Sequence, residues 1–65
     1  MLGLKIKKYL KDNGIKQSFV SQKTGIPIVK LNAMLNGNRK ILAEEYFMIC
    51  EALNIDVNIL YNETA

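Results

Sequence analysis

The 65-residue chain has no histidine, no tryptophan, one cysteine and one proline. With a single thiol, Cys50, no disulfide forms within the chain. Without histidine there is no ligand set for a structural zinc ion, so neither metal nor cofactor is expected. A lone thiol suits a reducing compartment. No apolar run approaches the roughly 18 residues that span a bilayer. Lysines interrupt the opening "MLGLKIKKYLKDNG", which therefore lacks a signal-peptide core. From these absences a cytoplasmic protein, off the membrane, is expected.

Catalytic groupings are missing as well. Cys50 as a nucleophile would need a base, and no histidine supplies one. Glu44 and Glu45 are neighbours on a helical pattern, where successive side chains diverge by about 100° and do not converge on a substrate. First-turn acids, favoured by the helix dipole, are the simpler account. Cys50 falls on an apolar helix face and reads as a small core residue. No enzymatic activity is expected.

Hydrophobic residues make up 49% of the chain. A single domain of this size buries only about 60% of its unfolded surface, so good helix packing or a partner must supply the rest. Charge is divided along the sequence. Residues 1–40 hold all nine basic residues and one acid, Asp12, a net +8; residues 41–65 hold five acids and no base, a net −5. Such a split suggests one face for a polyanion and another for something else.

Apolar spacing predicts helices and no strand. Residues 2–12 place Leu2, Ile6, Tyr9 and Leu10 on one side, and Asn13-Gly14 ends the pattern. A second helix fits residues 17–24, with Val20 in the core and Gly25 closing it. A third fits residues 27–36, with Pro27 at its first position and Leu31, Met34 and Leu35 facing inward. A fourth covers "AEEYFMICEALN", with Tyr46, Phe47, Ile49, Cys50 and Leu53 as core candidates. A last short turn spans Asp56–Tyr61, capped by Asp56. The expected fold is an all-α bundle of five short helices in one domain, residues 1–65.

Residues 17–37 carry the most information. Thr24-Gly25-Ile26-Pro27 is too tight a link for antiparallel helices. Gly25 supplies the positive φ of such a turn, and Ile26 is pushed towards an extended conformation by the following proline. This is a helix-turn-helix arrangement. With Gln17, Val20, Gly25, Ile26, Leu31, Met34, Gly37, Ile49, Leu53, Ile55 and Leu60 in register, the chain resembles the DNA-binding domains of lambdoid phage repressors and Cro proteins. That is the Cro/repressor-type, or XRE, helix-turn-helix family. The resemblance covers residues 5–61 and implies a lambda-repressor-like bundle.

The resemblance further implies double-stranded DNA as partner. It places Gln17 on a backbone phosphate and the third helix against base edges in the major groove. The base-reading candidates are then Ile28, Val29, Lys30, Asn32 and Ala33. Relatives usually carry polar residues at positions 28 and 29. Two β-branched apolar side chains cannot read purines by hydrogen bonds, but they can meet thymine methyl groups. Alternatively they pack inside the domain or against a protein. Asn36, Asn38, Arg39 and Lys40 lie where relatives clamp the sugar-phosphate backbone, which fixes register without reading sequence. Phe19 stands at a usually polar position and either fills a core gap or marks a partner surface.

Relatives of this size dimerise through the carboxyl-terminal end, which makes Val57, Ile59 and Tyr61 interface candidates. Two functional readings follow. One is a small Cro-like repressor from a phage or mobile element, a homodimer on an inverted-repeat operator. The other is a helix-turn-helix module for protein binding, an antirepressor, modulator or antitoxin, using Phe19, Ile28 and Val29.

Overall fold

A computed structural model describes residues 2–58. Four helices follow one another: α1 (Leu2–Asp12), α2 (Gln17–Thr24), α3 (Ile28–Leu35) and α4 (Ala43–Leu53). No strand occurs among the described residues. The first two spans match the apolar spacing to the residue. The third starts one residue later than expected. Pro27, with ψ at 141°, stays extended and serves as N-cap, so Ile28 is the first helical residue and Asn36 the C-cap. Asn54 is likewise the cap of α4 and not its last turn.

The expected fifth helix is not among the four helices of the described residues. Val57 and Asn58 are helical. The Asn58 amide donates to Asp56 Oδ1 at 2.8 Å, the expected capping bond. The rest of that turn, with the interface candidates Ile59 and Tyr61, lies outside the described residues.

Each helix ends by a specific backbone closure. In α1 the Ile15 amide reaches the Leu10 carbonyl at 2.8 Å and the Gly14 amide reaches Lys11 at 3.3 Å. That pair of bonds is a Schellman motif, which satisfies carbonyls left open at a helix end. The same motif closes α3, through Asn38 to Ala33 at 2.9 Å and Gly37 to Met34 at 3.2 Å. It closes α4 through Ile55 to Cys50 at 3.0 Å and Asn54 to Glu51 at 3.1 Å.

The core draws on all four helices: Ile6 and Leu10, Val20, Leu31, Met34 and Leu35, then Tyr46, Ile49 and Cys50. Ile26, between α2 and α3, is also buried and pins the turn to the core. Leu2, Tyr9 and Leu53 are half-buried against it. Phe47 is a correction: expected inside, it is 54% exposed. The inward stripe of α4 runs Tyr46, Ile49, Cys50, Leu53, at helical i, i+3, i+4, i+7 spacing, and position 47 lies one step off it. The Tyr46 hydroxyl donates to the Val57 carbonyl, tying the chain after α4 back onto that helix.

Gly3 is buried where α1 crosses α3. A Cβ there would lie 2.0 Å from the Met34 carbonyl oxygen, so the approach of these two backbones requires glycine. Among the described residues no helix is long and apolar enough to cross a membrane.

Candidate nucleic-acid interface

The turn between α2 and α3 is held by the hydroxyls of Ser21 and Thr24, which apolar spacing does not mark. Gly25 takes φ 78° and its amide donates to the Ser21 carbonyl at 2.9 Å. The Ile26 amide then donates to Thr24 Oγ1 at 3.2 Å, while Thr24 itself donates to Val20 O at 2.7 Å. Ser21 Oγ donates to the Ile26 carbonyl at 2.6 Å. Both polar groups of Ile26 are thus satisfied by side chains of α2, which lets its apolar side chain enter the core. The signal was present in the sequence as hydroxyl residues four and one positions before the glycine, a pattern that offers local backbone partners.

This turn sets which face of α3 looks outward. Leu31, Met34 and Leu35 are buried. Ile28, Val29 and Asn32 are exposed, with Ala33 half-buried beside them. Val29 is 80% exposed and Ile28 45%. Ile28 and Val29 therefore do not pack inside the domain, one of the alternatives left open by their apolar character. The N-cap, Pro27, makes no side-chain cap bond, and the first helical bond of α3 is Leu31 to the Pro27 carbonyl at 2.9 Å. The amides of Ile28, Val29 and Lys30 have no intrahelical carbonyl to bond and point from the helix start, as amides at an N-terminus do.

The other candidates divide. Gln17 is half-buried at the first position of α2. Asn38, Arg39 and Lys40 are exposed on the segment after α3. Arg39 and Lys40 border the same shallow cleft as Leu2 and Gly3, which sets them beside the start of α1. Phe19 is 42% exposed and is not a core filler; the Lys23 ammonium lies 5.7 Å from its ring centroid.

Three candidates, Lys30, Asn32 and Asn36, have partners inside the protein. Lys30 Nζ pairs with Glu45 Oε2 at 2.8 Å. Asn36 accepts from Lys7 at 2.6 Å and donates to Asn32 Oδ1 at 2.9 Å. Glu45 is the one buried charged residue among those described. Its other oxygen accepts the Leu42 amide at 2.9 Å, reaching back across the first turn of α4. The Lys30 bond above all, then the Leu42 amide, hold the Glu45 carboxyl below its usual range against the opposing effect of burial; Arg39 adds a weaker attraction in the same direction.

An exposed helix face, a helix start with open amides and a basic segment behind it form an arrangement that fits duplex DNA. An α-helix with side chains is about 10–12 Å across, close to the roughly 12 Å width of the major groove. The fold and this site define the class: a helix-turn-helix DNA-binding domain. The chain belongs to the Cro/C1-type HTH DNA-binding domain family, whose model matches residues 5–64. No curated protein and no solved structure gave a significant match. The protein is accordingly a DNA-binding regulatory domain.

Proposed function

We propose that the protein is a small Cro-like repressor that occupies an inverted-repeat operator as a homodimer. The observation that carries this reading is the outward face of α3, where Ile28, Val29 and Asn32 stand clear of the core. Ile28 and Val29 meet thymine methyl groups, Asn32 pairs with adenine and Ala33 adds a methyl contact. Gln17, Asn38, Arg39 and Lys40 hold phosphates and set the register.

The homodimer is supported by an apolar surface to which no residue of α2, α3 or the turn between them contributes. Leu2, Ile41, Ala43, Tyr46, Phe47 and Val57 line an open apolar groove of about 460 Å³. Leu42, 53% exposed, and Phe47 add apolar surface on the same stretch of chain. Val57 belongs to this groove, and Ile59 and Tyr61 continue the sequence from it. Two-fold pairing there sets the two α3 helices about 34 Å apart, one turn of DNA.

Selection of duplexes from a random pool tests the reading. Inverted repeats with T-rich half-sites about 10 bp apart are expected. Val29→Ser changes the selected bases, whereas Arg39→Ala weakens all duplexes alike and lowers the log–log salt slope by about 0.9. Retention without enrichment, or binding of one chain per site, overturns the operator-reading dimer.

The exposed aromatic Phe19, with the bare apolar pair on α3, favours a second reading as a protein-binding module, an antirepressor, modulator or antitoxin. On that reading Ile28→Lys abolishes capture of the partner and leaves DNA affinity equal or higher. As an operator reader, the same variant changes base preference.

A further inference from the structure

Glu45 has no role in the reading above, yet it is the most constrained charge described. It lies on α4, 15 residues from Lys30, and both its oxygens are committed: Oε1 to the Leu42 amide at 2.9 Å and Oε2 to the Lys30 ammonium at 2.8 Å. The two partners differ in freedom. Glu45 is 7% exposed and anchored to the start of its own helix, while the Lys30 side chain keeps 35% of its surface open. Lys30 is the flexible member, and its resting position is decided by an anchored carboxylate.

Lys30 occupies the third position of α3, between Val29, which is 80% exposed, and Leu31, which is fully buried. A long flexible stem at such a boundary can turn to either side. Turned towards DNA, its ammonium would sit beside the base-reading face and attract any phosphate, because a lysine attracts phosphate regardless of sequence. Turned towards α4, it leaves the outward face to Ile28, Val29, Asn32 and Ala33. The structure has it turned towards α4.

We infer that Glu45 is a positioning residue that sets the specificity of α3 by holding Lys30 on the α4 side of the helix, away from DNA. This rests on the DNA-reading role of α3 proposed above. Neutral methyl-contacting groups discriminate by shape, and a free ammonium among them would add affinity to every sequence and so lower the ratio between operator and other DNA.

The test measures duplex binding from 50 to 200 mM salt, for an operator and for an unrelated duplex, with four proteins. These are the wild type, Lys30→Met, Glu45→Gln and the double variant. Glutamine keeps an acceptor for the Leu42 amide, so the start of α4 is retained. Thermal melts confirm that each variant is folded at the assay temperature. Lys30→Met is expected to leave the salt slope unchanged, because Lys30 does not hold a phosphate in the wild type. Glu45→Gln frees Lys30. Its slope steepens by about 0.9, an extra loss of about 3.5-fold across this salt range, and its operator preference falls. The double variant returns to the wild-type slope, which a merely structural effect of Glu45 would not produce. A slope lowered by about 0.9 in Lys30→Met overturns the inference while the DNA reading stands. An unchanged slope in Glu45→Gln overturns it too. If the wild type retains no duplex, the DNA reading fails and this inference fails with it.

Discussion

Lys7 Nζ donates a 2.6 Å hydrogen bond to Asn36 Oδ1, so α1 holds the residue that closes α3. Asn36 passes the restraint on, donating from its amide to Asn32 Oδ1 at 2.9 Å. The chain of bonds runs from a basic residue of the first helix to the amide proposed to read adenine. Asn36→Ala breaks both links. The expected cost in stability is small, about 1 kcal/mol, since the bonds are exposed. Base discrimination at the position facing Asn32 falls further than overall affinity, which binding to a set of single-base operator variants measures.

Gly3→Ala separates α1 from α3. Alanine is the better helix former by about 1 kcal/mol, but its methyl group meets backbone atoms, Met34 O at 2.0 Å and Met34 C at 3.1 Å. Backbone cannot rotate away as a side chain tip does, so the helices must move apart. A net loss of about 1–3 kcal/mol is expected. In a domain of this size each kcal/mol lowers Tm by about 4–8 °C, readable in a thermal melt.

Acid should weaken the fold through Glu45. Its carboxyl titrates lower in the folded protein than in the unfolded chain, chiefly because of Lys30, with the Leu42 amide and Arg39 acting in the same sense. The unfolded state therefore binds more protons as pH falls below the ordinary carboxylate range, and stability drops with it. The contribution is fully present above the unfolded value, about 4.3–4.5, and is lost as pH falls through the lower, folded value. Urea denaturation at pH 7 and at successively lower pH should show a smaller acid loss in Glu45→Gln than in the wild type. An identical pH dependence would show that Lys30 does not stabilise the carboxylate.

Cys50 should be inert while the protein is folded. Burial pushes its thiol up, Asp56 pushes in the same direction, and a hydrogen bond with Tyr46 opposes them. A disulfide reagent at pH 8 is expected to modify it slowly in buffer and rapidly in denaturant, because only the thiolate attacks. Cys50→Ala should cost about 1 kcal/mol through the small cavity it leaves.

Much of this architecture was legible along the chain because it is local. Apolar residues three and four apart marked the inward stripes of α1 and α3. Asn13-Gly14, Gly25 and Gly37 marked three of the helix ends, since closing a helix needs a residue able to turn there within one peptide. Asp56 announced its own cap. The same locality explains the small errors. Pro27 fixes φ but leaves ψ free, so whether it opened α3 or stood just before it depended on the turn held by Ser21 and Thr24. Phe47 looked like core because it is apolar, although its neighbour Tyr46 holds the inward position.

The sequence by itself determined the segregation of positive charge, which is a count along the chain, and the helices, their stops and the tight link between α2 and α3, which follow from residues within a turn or two of one another. Only the tertiary structure decided where the polar arms point. Lys7 meets Asn36 across 29 residues, Lys30 meets Glu45 across 15, and Gly3 lies against Met34. A long side chain can reach several directions from the same backbone position. Which one it takes depends on a carboxylate, an amide or a carbonyl that packing brings near, and no local spacing encodes that encounter.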